Sequence, residues 1–369
     1  MTDSKQLNHN QLMTLMILFT ISAFAKTSKF AGQNIWIIMG SSGLAGLVLL
    51  TVYYRLSKLN DFKNLADIFK ASFGKYIGKL ILIIYAGFFF FRMVSVGNFM
   101  TAMAQQTLMF GASPRLVVFL LLITIVITSY YGLNAIGRSS EILLILTLLC
   151  TVPFFYTIFT PRIFNMENLV PILAEGVPGI ARDTARSFFL PYSELMVFLA
   201  LFPFVAHKNN DSRKMLKRTY IALIVSMLII VSIDMITVAV LGASLVATFE
   251  YPFYNAMQLA GGSTGVLQRL DTLAIMIMVF THYFKLVIYF YVTLLTVQSI
   301  SKRFTFKWVL FIVAFVTFFV APLITANSTE MIYETLPFKI LPPFTVVVPF
   351  IAYLISEVKH RKKKKSLPA

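Results

Sequence analysis

Apolar residues run along this chain in blocks of about twenty, long enough to cross ~30 Å of hydrocarbon at ~1.5 Å per residue. Ten such spans are predicted, at about residues 11–30, 34–55, 77–106, 115–133, 140–160, 186–206, 219–246, 271–299, 307–325 and 338–357. Two of the intervening segments are long. In 56–76 the apolar residues Leu65, Ile68, Phe69 and Phe73 recur at helical spacing, which predicts an amphipathic helix. Residues 161–185 carry Pro161, Pro171 and Pro178 and predict a run of short helices. No soluble domain or low-complexity linker interrupts the pattern. The expected architecture is one all-α polytopic membrane domain over residues 1–369.

Composition sharpens this. Hydrophobic residues make up 58% of the chain and charged residues 13%, about half the charged share of a soluble domain. The formal charge of +17 would suit a nucleic acid, but no domain-sized soluble segment exists to hold one. The basic residues collect in alternate loops instead. With an even number of spans and both termini cytoplasmic, 22 of the 32 lysines and arginines fall on the cytoplasmic side and 8 on the other. That bias predicts cytoplasmic termini. The tail from His360 to Lys365 is polybasic and faces the anionic leaflet of the lipid bilayer. Leu12–Phe24 with Ala23-Phe24-Ala25 has the outline of a signal peptide, but Asp3 offsets Lys5 before it, and the segment is expected to remain as the first span.

Catalytic patterns are missing. Cys150 is the only cysteine, and His9, His207, His282 and His360 have no metal-ligand spacing. No nucleophile, P-loop or dinucleotide motif occurs. No enzyme activity, cofactor or metal is therefore expected.

The chemistry lies in the spans. Arg92, Glu194, Asp234 and Lys285 each sit inside an apolar stretch, where an ionised group costs roughly 2.5–3.5 kcal/mol on insertion scales. Two spans are also interrupted. Span 1 carries the small and polar run Thr20-Ile21-Ser22-Ala23, and span 6 carries Pro191-Tyr192-Ser193-Glu194. Proline removes a backbone donor and clashes with the preceding turn. A freed backbone in hydrocarbon must face protein, water or a ligand. Interrupted segments at matching places in two halves point to a ligand site there. Half-helix N-termini would favour a ligand carboxylate, and Glu194 an ammonium or a sugar or base donor.

On span 8, His282, Lys285 and Tyr289 form one helical stripe, with Asp271 on the same face near one end. Lys285 is expected to sense or lock span 1 with Glu194 or Asp234 as counter-charge, so that its removal would leave a buried carboxylate unpaired. Arg92, with Ser95 on its face, needs Glu194, Asp234 or a ligand carboxylate, in a structural or a ligand-binding role. Asp234, flanked by Ser232 and Thr237, reads equally as a protonated acid bonded to a neighbouring helix or as a functional group. Glu141 lies at a span end, where solvation suffices, and Phe88 to Phe91 read as lipid-facing or core filler.

These residues resemble a known family, the B subunit of spore germinant receptors, which are endospore germination permeases within the amino acid–polyamine–organocation superfamily. The resemblance rests on Asn64-Leu65-Ala66-Asp67-Ile68-Phe69 with Phe73-Gly74-Lys75, Arg138 with Glu141-Ile142-Leu143, Pro191-Tyr192-Ser193-Glu194, and Arg269-Leu270-Asp271 with Phe284-Lys285-Leu286. Tyr251-Pro252 fits as well, and the likeness covers essentially the whole chain. One departure is Tyr192-Ser193, where family members often carry Phe-Gly, and it bears on the shape of the pocket. The resemblance implies a ten-helix fold of the leucine-transporter type. Its two inverted five-helix repeats would be 11–160 and 186–357, followed by a basic tail at 358–369. It also implies residence in a spore inner membrane or bacterial cell membrane, with A-type and C-type receptor subunits as partners and a small germinant, an amino acid or nucleoside, as ligand. The runner-up is a proton-coupled amino-acid permease of the same fold.

Overall fold

The computed structural model describes residues 6–30, 32–159, 163–173, 176–205, 211–264, 269–301, 305–325 and 336–365, and every regular element among them is helical. Six helical segments are long and apolar enough to cross a membrane: Gly32–Leu59, Lys75–Thr107, Leu133–Ile158, Ser212–Leu241, Leu270–Ile300 and Lys339–Lys362. Two shorter apolar helices are Pro114–Tyr130 and Phe306–Pro322. Many of their large apolar side chains, such as Val48, Ile142 and Phe315, face outward, as a lipid-facing surface requires. The chain is a multi-pass membrane protein.

The first helix, α1 (His9–Ile21), opens with a capping box in which Asn8 and Gln11 satisfy each other's orphan N–H groups. A two-residue turn separates it from α2 (Phe24–Thr27). Next comes α3 (Ile35–Leu59). The amphipathic segment is α4 (Leu65–Phe73), capped by the Asn64 side chain, which accepts from Asp67 N at 2.9 Å. Gly74, at φ +87°, turns the chain into α5 (Lys75–Thr107). A side chain at Gly78 would lie 2.6 Å from Phe69 O, so that glycine lets α4 lie flat on α5. Helices α6 (Pro114–Tyr130) and α7 (Leu133–Thr151) follow. Beyond α7 the backbone tightens into a 3-10 run, Val152–Phe159, at Pro153.

In the second half α8 (Gly176–Phe189) starts earlier than span 6 was expected to, and ends just before Pro191. Helix α9 (Asp211–Leu241) stops at Gly242, φ +81°, which turns the chain into α10 (Ala243–Thr248). Span 7 was expected to run past this glycine. Helix α11 (Pro252–Thr264) lies in a segment that its polar and glycine content marks only as a loop. The central helix α12 (Leu270–Ile300) packs against α5, α7, α11 and α1. Helices α13 (Phe306–Thr325) and α14 (Leu336–Pro342) lead to a π-helical turn at Pro343–Val347 and then to α15 (Val348–Lys365). The basic tail is thus helical through Lys365, where its cations complement the helix dipole. Lys359 Nζ also reaches Ser72 O at 3.4 Å, at the end of α4.

Candidate functional site

The breaks have local causes. Near the end of α1 the Thr20 and Ser22 hydroxyls donate to Met16 O and Phe19 O, both at 2.7 Å, competing with the helix ladder. In span 6, Pro191 has no N–H to give, and the Ser193 hydroxyl donates to Phe189 O at 2.8 Å. The chain continues as an eight-residue 3-10 helix, Ser193–Ala200, far longer than such helices usually run. The Tyr53 hydroxyl, wholly buried, lies 3.1 Å from Ser193 O and 2.5 Å from Thr345 O in the π turn.

Between the breaks lies a buried ionic triad. Arg92 of α5 donates from a terminal guanidinium nitrogen to Glu194 Oε1. Lys285 Nζ of α12 sits 2.7 Å from Glu194 Oε2, an ion pair and not an aligned hydrogen bond. The three residues are 5%, 1% and 5% exposed. Tyr289 adjoins the pair, its ring 5.9 Å from the guanidinium carbon, and the ammonium of Lys285 stands 5.2 Å from the Phe19 ring. One carboxylate therefore serves two cations, and the group carries one excess positive charge. Charges so placed hold together only through mutual pairing, because desolvating each costs several kcal/mol, on the order of the pair's own attraction.

Arg92 and Lys285 of the triad line a cavity of about 50 Å³, room for a few waters at roughly 10–15 Å³ each or for the head of a small molecule. Ser22, Ala23 and Lys26 line it from the first break and Leu190 from the second. Arg92, Ser95, Val96 and Phe99 line it from α5, and His282 and Lys285 from α12. Lys26 is half-buried, with Nζ 5.4 Å from the Phe99 ring. On the other side of the triad, toward the end of α12, Phe19, Phe198 and Tyr289 form a layer with ring centroids 5.3 and 5.4 Å apart. Beyond that layer is a second, polar cavity of about 300 Å³ between α4 and the end of α12, lined by Asn64, Asp67, Lys70, Thr296 and Gln298 among others.

Of the residues singled out in the sequence, Ser22, Ala23, Arg92, His282 and Lys285 face the first cavity. Thr20, Pro191, Tyr192, Ser193 and Glu194 do not line it. Glu194, expected to meet a ligand's ammonium, has both oxygens held by Arg92 and Lys285. Tyr192 turns away onto α3, where a side chain at Gly46 would come within 2.8 Å of its Cβ. The counter-charge of Lys285 is Glu194, which it shares with Arg92. Removing the lysine would therefore leave the carboxylate still paired, contrary to the expectation from sequence. His282 stacks on Phe99 with centroids 4.4 Å apart, its Nδ1 2.8 Å from Met278 O. Asp271 pairs with Arg269 at 3.5 Å at the start of α12, clear of the cavity.

Asp234 stands apart from the triad. It is fully buried and accepts from the Thr27 hydroxyl at 2.6 Å. Among the described residues, its other oxygen and the nearby Tyr192 hydroxyl have no hydrogen-bond partner. Lys26, Val96 and Leu190 were not singled out from sequence. Lys26 had a legible signal, as a cation one turn beyond the first break, but counted there only toward topology.

Residues 6–330 match the profile of a family described as "Spore germination protein". The chain is 21% identical over 371 residues to spore germination protein KB of Bacillus subtilis strain 168, covering 99% of this chain and 98% of that protein. It is 22% identical over 345 residues to spore germination protein A2 of the same strain, covering 91% and 90%. Among solved structures it is similar to Mhp1, a nucleobase–cation-symport-1 family transporter captured in a closed conformation with bromovinylhydantoin bound. The TM-score is 0.65 at 13% identity, over 99% of this chain and 94% of that one. At that identity the likeness shows the fold, a leucine-transporter-like one. None of these relatives is an enzyme.

Proposed function

Because the chain belongs to the spore germination protein family, we propose that it is the germinant-sensing membrane subunit of a spore germinant receptor. It binds a small nutrient in the cavity between the broken spans and thereby triggers germination. The observation that carries this reading is the cavity itself, which lies beside both broken spans and is lined by Arg92 and Lys285, the two cations that share Glu194. In this reading the chain crosses the membrane ten times, as two inverted five-helix repeats with both termini cytoplasmic. It works in the spore inner membrane beside A-type and C-type subunits. The triad ties the second break to α5 and α12, so a ligand that disturbs it moves several helices at once.

Two experiments test this. Ser22→Phe fills the cavity from the first break and should abolish the germination response while the protein stays inserted and abundant. An unchanged dose response would move the site elsewhere. Reporter fusions after residues 110, 172 and 260 should read external, and those after 65, 210 and 304 cytoplasmic.

A second reading, a proton-coupled amino-acid permease, draws on Asp234. A buried acid whose one hydrogen bond among the described residues comes from the Thr27 hydroxyl of the first broken span is placed to link a proton to the movement of that span. Uptake of labelled amino acid in vesicles that depends on a pH gradient, and is lost in Asp234→Asn, would favour it.

A further inference from the structure

We propose that the groove between α6 and α13 seats one acyl chain of an anionic phospholipid, with the lipid phosphate on Lys307. The groove shares no residue with the cavity beside the broken spans, and the inference holds whatever that cavity binds.

Two contacts mark the ends of the groove and show that α6 and α13 run antiparallel. Phe119 meets Phe318 at one end, with ring centroids 6.2 Å apart. At the other, Lys307 Nζ lies 5.1 Å from the centroid of the Tyr130 ring. Between them is a trough of about 690 Å³, walled by Phe119 and Ile123 of α6 and Trp308, Phe311, Phe315 and Phe319 of α13. All six are at least 40% exposed. At the floor, Leu122 also lines a small apolar pocket against Gly97 and Leu286, so the groove backs onto α5 and α12.

Lipid contact alone asks only for apolar side chains; the depth and the charge of this groove ask for more. Trp308 to Phe319 is 11 residues, as is Tyr130 back to Phe119, about 16 Å at ~1.5 Å each. Half of a ~30 Å hydrocarbon core is about 15 Å. The trough is therefore one leaflet deep, the reach of one extended acyl chain. A partner's membrane-crossing helix would need a face twice as long. Trp308, Tyr130 and Tyr131, all more than half exposed, gather at the open end, and such rings settle at headgroup level. Lys307 is exposed at that level, within reach of a lipid phosphate, and Lys302 and Arg303 come just before it in the sequence. In the topology proposed above, this is the cytoplasmic leaflet.

The test uses quenching of tryptophan fluorescence by lipids brominated at mid-chain, in phosphatidylcholine vesicles holding the full-length protein. Both native tryptophans are removed by Trp36→Phe and Trp308→Phe. Phe315→Trp then supplies a reporter in the groove, and Val48→Trp one on the outward face of α3. The groove reporter should be quenched at a roughly fivefold lower mole fraction of brominated phosphatidylglycerol than of brominated phosphatidylcholine, the ratio one lysine supplies at an anionic surface. The α3 reporter should show no preference. Lys307→Gln should remove the preference, and Ala314→Phe, which fills the trough, should remove it with the lysine intact. Equal quenching by the two lipids in the groove overturns the inference. So does a preference that survives either substitution or that Val48→Trp shares, since the groove is then ordinary lipid contact. Weak quenching by both lipids in the groove, with Val48→Trp quenched normally, means that protein such as a second copy of this chain covers it, and overturns the inference as well.

Discussion

Glu194 and Asp234 are both buried carboxylates beside a broken span, and their surroundings differ. Glu194 lies between two cations from two other helices, with each oxygen engaged. Asp234 has one hydroxyl, that of Thr27, and its second oxygen has no hydrogen bond among the described residues. The first arrangement fixes position: α5, α12 and the 3-10 segment after Pro191 are tied through one side chain. The second fixes little, since a single hydroxyl contact holds α2 to α9 there. Within one bundle, then, a buried acid can act as a fastener or as a lightly held contact, and the number of its partners decides which.

The contrast can be broken most forcefully at Glu194. Glu194→Ala leaves Arg92 and Lys285 facing each other without a counter-ion. The expected loss is about 3–5 kcal/mol, read as low abundance in the membrane and a lower melting temperature in detergent. A Glu194→Ala protein as stable as the parent would mean that water solvates these cations, and the distinction from Asp234 would dissolve. Gly46→Leu attacks the same segment from behind by driving a side chain into Tyr192. Overpacking of this kind costs about 1–3 kcal/mol, and Gly46→Ala should already show part of that loss, because its methyl group would meet Tyr192 Cβ at 2.8 Å.

Lys285→Met sharpens the comparison further. It leaves Arg92 and Glu194 as a one-to-one pair, so stability should fall by only about 1.5 kcal/mol, the low end for a single interaction with a charged group, while the germination response is lost. The smallest effect is expected at Asp234→Asn. Its amide oxygen still accepts from Thr27, and the loss should stay near 0.5 kcal/mol, at the low end for one retained hydrogen bond. A large destabilisation there, measured by the same melting curves, would mean that Asp234 carries a counter-charge and is a fastener too.

Much of this was legible in the sequence. The apolar blocks locate α3, α5 and α12 to within a few residues, because hydrocarbon thickness sets their length, whereas α7 and α9 begin well before their blocks. Pro191 announces its break, and the hydroxyls around Ser22 announce the other. The four mid-span ionisable residues mark the interior, and three of them meet. Their pairing was not legible. Whether Lys285 met Glu194 or Asp234 depended on how the helices turn about their axes, which a periodic apolar pattern leaves open when a helix is buried on most sides. The direction of Tyr192 was not legible for a related reason. It stands one residue beyond Pro191, and the rotation the break introduces sends it to Gly46, a distant glycine whose missing side chain receives it. The helix Pro252–Thr264 escaped because its glycine-rich end and polar residues resemble a loop, while its stability comes from packing on α12 and α9.

Tyr53 has a consequence of a different kind. Its hydroxyl carries a single proton yet faces two carbonyls, Ser193 O in the interrupted sixth span and Thr345 O in the π turn of the last. One proton cannot serve both fully, so any motion that draws the hydroxyl toward one carbonyl loosens its hold on the other, by an amount on the order of 1 kcal/mol. The two carbonyls compete for a shared donor as two callers compete for one line. A shift of the π turn would thereby be felt at Ser193 without a rigid lever between them.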